Sequence, residues 1–414
     1  MVEGKMQERR EFVKDLFNSA RSRVCGARLE EGIVNDGEES YGSLLKIGED
    51  LLGNQYQRYL EFILGGIGRD SHCAPMNSSA ANQPPRQLLF RQTGKPSEVL
   101  ECVAFTPRAP EAGEVLVRML AAPVNPADLN TIEGTYGVKP ELPAVPGVEG
   151  CGVVEVSESP DFIPGDRVIF LRRASTWATH TTVAADSLFK LPSGIDPIQA
   201  AMLKVNPATA WRLLHGFGTL APGDWIVQNA GNSAVARCVI QLARDLGIHT
   251  ISFVRREELI GELQQLGADH VLLDDDEGMA AAKSVLGGEN AALAFNAVGG
   301  ESALRLMKLL RESGTHITYG AMGRKPITLP NGLLIFRDIR VRGLWVTRWV
   351  ENSPATEVTT VYQNLAARVA AGKLNQPVDA TFQLEAFQDA LARLEIPERS
   401  GKVLFSQLLD ASHE

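Results

Sequence analysis

The sequence predicts an α/β fold in which a doubly wound parallel sheet is set into a partly open antiparallel β-barrel. Three observations predict it. Trp225–Arg256 (WIVQNAGNSAVARCVIQLARDLGIHTISFVRR) reads as strand, tight turn, helix and second strand. Trp225–Gln228 is a short apolar run, Val235, Val239, Ile240, Leu242, Ala243 and Leu246 recur at helical spacing, Gly247 stops the helix, and Thr250–Val254 is β-rich. Before this unit, Gln87 to Leu191 is a succession of short β-rich runs punctuated by Gly and Pro, the pattern of a partly open barrel. After it, strands and helices alternate, as parallel sheets require.

In chain order, residues 1–86 differ from the rest and read as an extension and linker. Met1–Arg28 mixes basic residues with Glu3, Glu8, Glu11 and Asp15, unlike an acid-poor transit peptide. Residues 43–65 suit one or two helices, and Ser71–Pro85 is small, polar and proline-bearing. A true start near Met76 is an open alternative. The barrel strands are expected at Gln87–Arg91, Val99–Phe105, Glu114–Ala122, Gly152–Val156, Arg167–Phe170 and Trp177–Val183. A helical pattern from about Pro192 leads into Asn206–His215. Beyond Arg256, strands are expected at His270–Leu273, Ala292–Val298, Thr315–Gly320 and Arg340–Leu344, with helices at Glu257–Leu266, Met279–Leu286 and Ser302–Glu312. Helices at Thr356–Ala371 and Ala386–Leu394 precede a last strand, Gly401–Phe405, that returns to the barrel. The domains are then 87–205 and 347–406 for the barrel part, 206–346 for the sheet set into it, and a 407–414 tail.

Composition bounds the partners. The chain has 414 residues, 22 % charged and 44 % apolar, with a net charge of −9. That is a globular composition without the basic excess that nucleic acid asks for, and no apolar run has the length of a bilayer span, so neither a nucleic-acid nor a membrane partner is expected. Cys25, Cys73, Cys102, Cys151 and Cys238 are scattered and include no CxxC pair, which argues against a disulfide framework and a structural zinc site.

The turn Asn229-Ala230-Gly231-Asn232-Ser233 aims helix N–H groups at whatever lies above it, which suits a pyrophosphate. Its glycine pattern departs from G-x-G-x-x-G, since Ala234 and Ala236 stand where later glycines would fall. An ordinary βαβ unit without a ligand is the alternative. The second strand ends in Arg255 and Arg256, not in the acidic residue that accepts bonds from the ribose of NAD, so it favours a 2′-phosphate and hence NADP. A solvated cluster with Glu257 and Glu258 is the plainer reading.

Seven runs across both parts resemble one family in the same order: NPADLNTIEGTYG (125–137), ELPAVPGVEG (141–150), VNPATAWRLL (205–214), QNAGNSAV (228–235), YGAMG (319–323), LLIFRDIRVRGLWVTRW (333–349) and SGKVLF (400–405). The layout is similar to the medium-chain dehydrogenase/reductase superfamily, a Rossmann domain inserted in a GroES-like catalytic domain. Within it, the chain resembles the trans-2-enoyl-CoA or enoyl-acyl-carrier-protein reductases of the mitochondrial type. Zinc alcohol dehydrogenases of the superfamily have a GHE segment and an early cysteine. Here Gly147-Val148-Glu149 and Val124-Asn125-Pro126-Ala127-Asp128 stand at those places, so no metal is expected.

The resemblance implies NADPH-dependent reduction of the α,β double bond of an acyl-CoA or acyl-carrier-protein thioester, with Tyr136 donating the proton or stabilising the oxyanion. It also implies cofactor contacts at Asn206, Asn232, Ser233, Ala234, Val235, Arg255, Arg256, Tyr319, Gly320, Ala321, Met322, Leu344, Trp345, Val346 and Lys402. Plainer readings stand beside three of these: an aromatic plug for Tyr136, a helix cap before Pro207 for Asn206, and a solvated charge for Lys402. Trp177, Trp211 and Trp349 are expected in the core, with the border of an acyl channel as the alternative. A homodimer joined by edge strands of the nucleotide domains is implied, and a mitochondrial matrix or a bacterial cytoplasm according to source. The rivals are an NADPH-dependent quinone or enone reductase of the same superfamily and a non-catalytic nucleotide-binding regulator.

Overall fold

The structure, a computed structural model, describes residues 84–397 and 399–408. The expected helices of residues 43–65 and most of the linker therefore lie outside the described residues.

The chain begins with an antiparallel pair, β1 (Arg86–Phe90) and β2 (Leu100–Ala104), joined through the short helix α1 (Pro96–Val99). The second strand starts one residue later than expected because Pro96 opens that helical turn. Next comes β3 (Glu114–Pro123), the spine of the barrel, whose side chains alternate into its core. It is followed by α2 (Pro126–Glu133), β4 (Cys151–Ser157), β5 (Arg167–Phe170), β6 (His180–Ala184) and β7 (Leu188–Lys190). β3 pairs antiparallel with β4 and β6. The expected strand Trp177–Val183 is corrected. Trp177 is a fully buried plug whose indole Nε1 donates to Pro123 O at 3.3 Å and whose ring meets Phe405 edge-on, so pairing starts at His180.

Two helices, α3 (Pro197–Ala201) and α4 (Asn206–His215), lead to the second sheet. Its elements are β8 (Trp225–Gln228), α5 (Ala234–Leu246), β9 (His249–Val254), α6 (Leu259–Leu266), β10 (His270–Leu273), α7 (Asp276–Leu286), β11 (Ala291–Asn296), α8 (Gly300–Lys308), β12 (Leu310–Thr318), α9 (Asn331–Arg337) and β13 (Arg340–Gly343). The strands are parallel in the order β10-β9-β8-β11-β12-β13. Order reverses between β8 and β11, so a crevice opens at the carboxyl ends of those strands, where ligands of open α/β sheets bind. The helix expected at Ser302–Glu312 ends at Lys308. Leu310 is fully buried beside Ala291 and opens β12 instead.

After α10 (Val346–Asn352) and α11 (Ala355–Ala370) the chain returns through β14 (Val378–Phe382), α12 (Phe387–Leu394) and β15 (Lys402–Ser406). β15 lies antiparallel on β3, as the expected return to the barrel requires, and parallel to β14. The barrel sheet runs β14-β15-β3-β4-β5-β7, and its ends β14 and β7 are not paired, which leaves the barrel partly open. β7 and β14 have no counterpart among the expected strands. The first is three residues long, and the second buries no residue fully.

Candidate active site

The crevice is floored by the turn between β8 and α5. Ala230 takes a left-handed conformation (φ 47°) and Gly231 donates its N–H to Phe253 O at 2.8 Å. A side chain at position 231 would place its Cβ 3.0 Å from Ser252 Cβ and 3.3 Å from Phe253 O, so glycine is needed for close approach to β9. Ser233 caps α5, its hydroxyl accepting from Ala236 N at 3.3 Å. The N–H groups of Asn232, Ala234 and Val235 have no acceptor among the described residues. They form the anion-binding corner that the turn sequence leads one to expect.

A buried ladder of amides holds the strand ends. Asn229 donates from Nδ2 to Asn296 Oδ1 and Ser302 Oγ, both at 2.8 Å, and its Oδ1 accepts Ala297 N at 2.7 Å. Asn296 Nδ2 reaches Thr318 Oγ1 at 3.1 Å, while its Oδ1 accepts Val298 N and Gly299 N. Side-chain amides thus fix β8, β11 and β12 to one another at the rim of the crevice. Sequence reasoning read Asn229 only as a turn residue and did not single out Asn296.

Arg255 and Arg256 follow the last residue of β9, Arg255 exposed and Arg256 half-buried. Neither forms an ion pair among the described residues, and the adjacent Glu257 and Glu258 are exposed as Arg255 is. Tyr319 leaves the end of β12 and turns its hydroxyl against Ser233, where it is buried without a well-aligned partner, and burial pushes the phenol well above its usual range. Gly320 and Met322 run along β11, with Met322 N on Ala297 O at 2.8 Å. A Cβ on Gly320 would lie 3.2 Å from Ala297 O. Ala321 and Met322 are exposed at the crevice edge. The free turn amides fit a pyrophosphate, and the two arginines at the end of β9 fit a 2′-phosphate.

Facing them, α2 ends at Gly134 (φ 77°), and the following loop hangs on Asn130 O, which accepts the N–H groups of Thr135 and Tyr136. This places Tyr136 across the crevice from Trp345. The indole Nε1 donates to Tyr136 Oη at 3.0 Å, and the rings meet edge to face at 6.4 Å. The guanidinium of Arg173 lies 5.2 Å from the Tyr136 ring centre and donates to Thr131 Oγ1. Leu344 and Trp345 are half-buried and Val346 is buried. Tyr136 is therefore held at the crevice both by its hydroxyl and by the packing of its ring.

A buried charge network gathers around Asn125, the cap of α2. Glu149 is fully buried, with Oε1 accepting from Asn125 Nδ2 and Oε2 from Val205 N, both at 2.8 Å. Lys402 Nζ donates to Val124 O at 2.8 Å and Asn125 Oδ1 at 2.6 Å, and Lys204 Nζ to Val148 O at 2.7 Å. Burial pushes the Glu149 carboxyl up and holds both lysines down to about 8, the opposite charges offsetting part of each shift. Asp128, also buried, is raised to about 7 by burial, against the pull of the Asn125 N–H on its Oδ2.

The network includes the Gly147–Glu149 and Val124–Asp128 segments, which stand where the resemblance implies zinc ligands in the zinc dehydrogenases. A zinc ion does not fit those segments: neither holds a His or Cys, the Glu149 carboxylate is already bonded, and the ammonium groups of Lys204 and Lys402 bond to the Val148 and Val124 carbonyls of the same segments. Lys402 is thus a buried cation and not a solvated one. Asn206, expected as a cofactor contact with a helix cap as the plainer reading, is the first residue of α4 after the cap Val205, and its Nδ2 donates to Gln376 Oε1 at 2.9 Å. Trp177 and Trp349 are buried as expected, whereas Trp211 is only half-buried and stacks on His215. Lys204, Asp128, Arg173 and Gln376 were missed. The partners of Lys204, Arg173 and Gln376 lie far off in sequence, whereas Asp128 bonds to Asn125 three residues before it.

Two family models match the chain: "Alcohol dehydrogenase GroES-like domain" over residues 111–193 and "Zinc-binding dehydrogenase" over 234–364. Among curated relatives, "Enoyl-[acyl-carrier-protein] reductase, mitochondrial" of Xenopus tropicalis is 40 % identical over 79 % of this chain and 96 % of its own length. The Homo sapiens protein of the same description is 36 % identical over 80 % and 92 %. Of solved structures, an Etr1p/NADP/crotonyl-CoA complex matches with TM-score 0.71 at 30 % identity, covering 78 % of this chain and 99 % of that one. A quinone oxidoreductase of Pseudomonas syringae matches with TM-score 0.69 at 26 % identity, covering 78 % and 99 %.

Proposed function

The chain belongs to the family of mitochondrial enoyl-[acyl-carrier-protein] reductases, and on that premise we propose that Tyr136 is the proton donor and oxyanion partner of its reaction. The chain is an oxidoreductase that uses NADPH to reduce the α,β double bond of trans-2-enoyl thioesters, with an acyl-CoA or acyl-carrier-protein thioester as substrate. When bound, NADPH supplies the hydride to the β-carbon. Negative charge then gathers on the thioester oxygen and α-carbon. A neutral phenol placed in the crevice donates a hydrogen bond to that charge and then its proton. The indole N–H of Trp345 stabilises the phenol oxygen as it loses the proton.

In this reading Asn232, Ser233, Ala234 and Val235 hold the pyrophosphate, and Arg255 and Arg256 take the 2′-phosphate. Tyr319, Gly320, Ala321 and Met322 border the cofactor on the β12 side. Leu344, Trp345 and Val346 line the nicotinamide and acyl cleft, and Asn206 and Lys402 complete the cofactor contacts. Residues 87–205 with 347–406 form the catalytic part around the nucleotide part, 206–346. The observation that carries the proposal is the Trp345–Tyr136 hydrogen bond, because it seats a phenol against the segment assigned to the nicotinamide.

The test is loss of reduced-nicotinamide absorbance with crotonyl-CoA and a longer enoyl-CoA, with NADH, a quinone and Tyr136→Phe in parallel. Enoyl-thioester turnover that prefers NADPH and drops about 100-fold or more in Tyr136→Phe is expected. Turnover of the quinone alone would transfer the chain to the quinone reductases.

A homodimer is proposed as well. Among the described residues β13 is an edge strand that pairs only with β12, and α9 beside it has no fully buried residue, leaving Ile335 71 % and Phe336 81 % exposed. An edge and an apolar patch together suit a second copy. Sedimentation should give a dimer that Phe336→Glu splits into monomers. A wild-type monomer at micromolar concentration refutes it.

A further inference from the structure

Arg237 stands out among the charged groups not used above. It lies in the first turn of α5, two residues after the last one assigned to the pyrophosphate, and is 4 % exposed. That is a poor place for a cation on general grounds, since the positive end of a helix repels it and burial strips its water. Two bonds hold it there. Its Nε donates to Asn232 O at 3.1 Å, inside the turn, and its terminal amine meets Glu262 Oε2 at 2.8 Å. The guanidinium holds the Glu262 carboxyl below the usual carboxylate range. Glu262 sits in the first turn of α6, the helix that starts three residues after Arg256, and its other oxygen accepts from Ser400 Oγ at 3.4 Å, two residues before Lys402.

A half-buried ion pair is a weak source of stability, because desolvation cancels most of the attraction. What this one does is fix geometry. It ties the carbonyl of the anion-binding turn to the helix whose leading segment carries the two arginines.

We propose that Arg237, through Asn232 and Glu262, is the positioning residue that holds the pyrophosphate turn and the 2′-phosphate arginines in one relation, and so sets the preference for NADPH over NADH. The proposal rests on the nucleotide-site reading given above. Glu262 acts on the arginine segment alone, so its loss weakens only the cofactor that has a 2′-phosphate. Arg237 acts on both the turn and the segment, so its loss weakens both cofactors, NADPH more.

The test is a fluorescence titration of NADPH and NADH with the full chain carrying Arg237→Gln, Glu262→Gln, the double change, or Arg255→Ala with Arg256→Ala, alongside kcat with crotonyl-CoA. Glu262→Gln, on the solvent side of the pair and the variant safest for folding, is expected to weaken NADPH about tenfold and NADH less than about twofold, with kcat within about twofold. Arg237→Gln weakens both, and the double change is no worse than Arg237→Gln alone. The arginine-pair variant weakens NADPH only. If it does so while Glu262→Gln leaves NADPH binding unchanged or weakens both cofactors equally, the positioning role is refuted and the site stands. If the arginine-pair variant leaves NADPH binding unchanged, the site reading falls and takes the proposal with it.

Discussion

Replacing Trp345 with Phe removes one hydrogen bond and keeps an aromatic ring in the crevice. The bond lost is a neutral N–H···O of 3.0 Å to the Tyr136 hydroxyl at a half-buried site. Such a bond contributes about 0.5–1.5 kcal/mol net. If all of it acts in the transition state, where the phenol oxygen gains charge, kcat should fall by about 2- to 13-fold. The edge-to-face contact with Tyr136 is partly kept, so KM for the enoyl thioester should move less than kcat. The decisive measurement is a double-mutant cycle. In a Tyr136→Phe background there is no hydroxyl for the indole to support, so Trp345→Phe should cost less than about twofold further in kcat. Equal losses in both backgrounds would refute the reasoning and leave Trp345 acting only through the shape of the acyl cleft.

Three further outcomes follow from the packing. His316 is fully buried on β12 with neither ring nitrogen bonded, and burial holds it down to about 4. Below its unfolded pKa of about 6.5 the unfolded chain takes up a proton that the folded chain refuses, so stability falls as pH drops from about 6.5 to 4, by about 3 kcal/mol in full. His316→Leu should flatten that acid-side loss in urea titrations relative to wild type, and two parallel curves would contradict it. Lys204→Met leaves the buried Glu149 short of a compensating charge and should destabilise the fold by about 3 kcal/mol in chemical denaturation, unless the carboxyl takes up a proton, in which case the loss shrinks at low pH. Gly147 has φ 106°, and a Cβ there would lie 2.4 Å from Thr176 Oγ1 and 2.6 Å from Trp177 N, so Gly147→Ala should cost about 2 kcal/mol or more. A melting temperature within a degree of wild type would rule that out.

What the sequence disclosed and what it hid divide along physical lines. Local periodicity located β8 and α4 to the residue and the rest of the six-stranded sheet to within a few, because a short apolar run between turn residues has few other uses. The Leu310–Glu312 stretch misled, since one buried leucine followed by exposed charges looks helical until the parallel partner of the strand is known. Tyr136 was legible only through the motif around it, as nothing local says that a tyrosine after a glycine turn will meet an indole 209 positions away. The Glu149–Lys204–Lys402 network was hidden for the same reason. Its members come from segments 56 and 277 residues apart, and each alone reads as a surface charge. Arg237 lies among apolar helix positions, where a single charge is easily taken for the solvent face.

The amide ladder at the ends of β8, β11 and β12 bears on how this protein can change over time. The rim of the crevice is registered by directed bonds from Asn229 and Asn296 and does not rely on the shapes of Ile226, Leu293 or Ile317 below it. The aliphatic interior is therefore free to drift, one branched residue exchanged for another, while the rim keeps its dimensions. In a saturation library screened for turnover, the sheet interior should accept many hydrophobic replacements. The two asparagines should accept almost none, not even aspartate, which has no N–H to give.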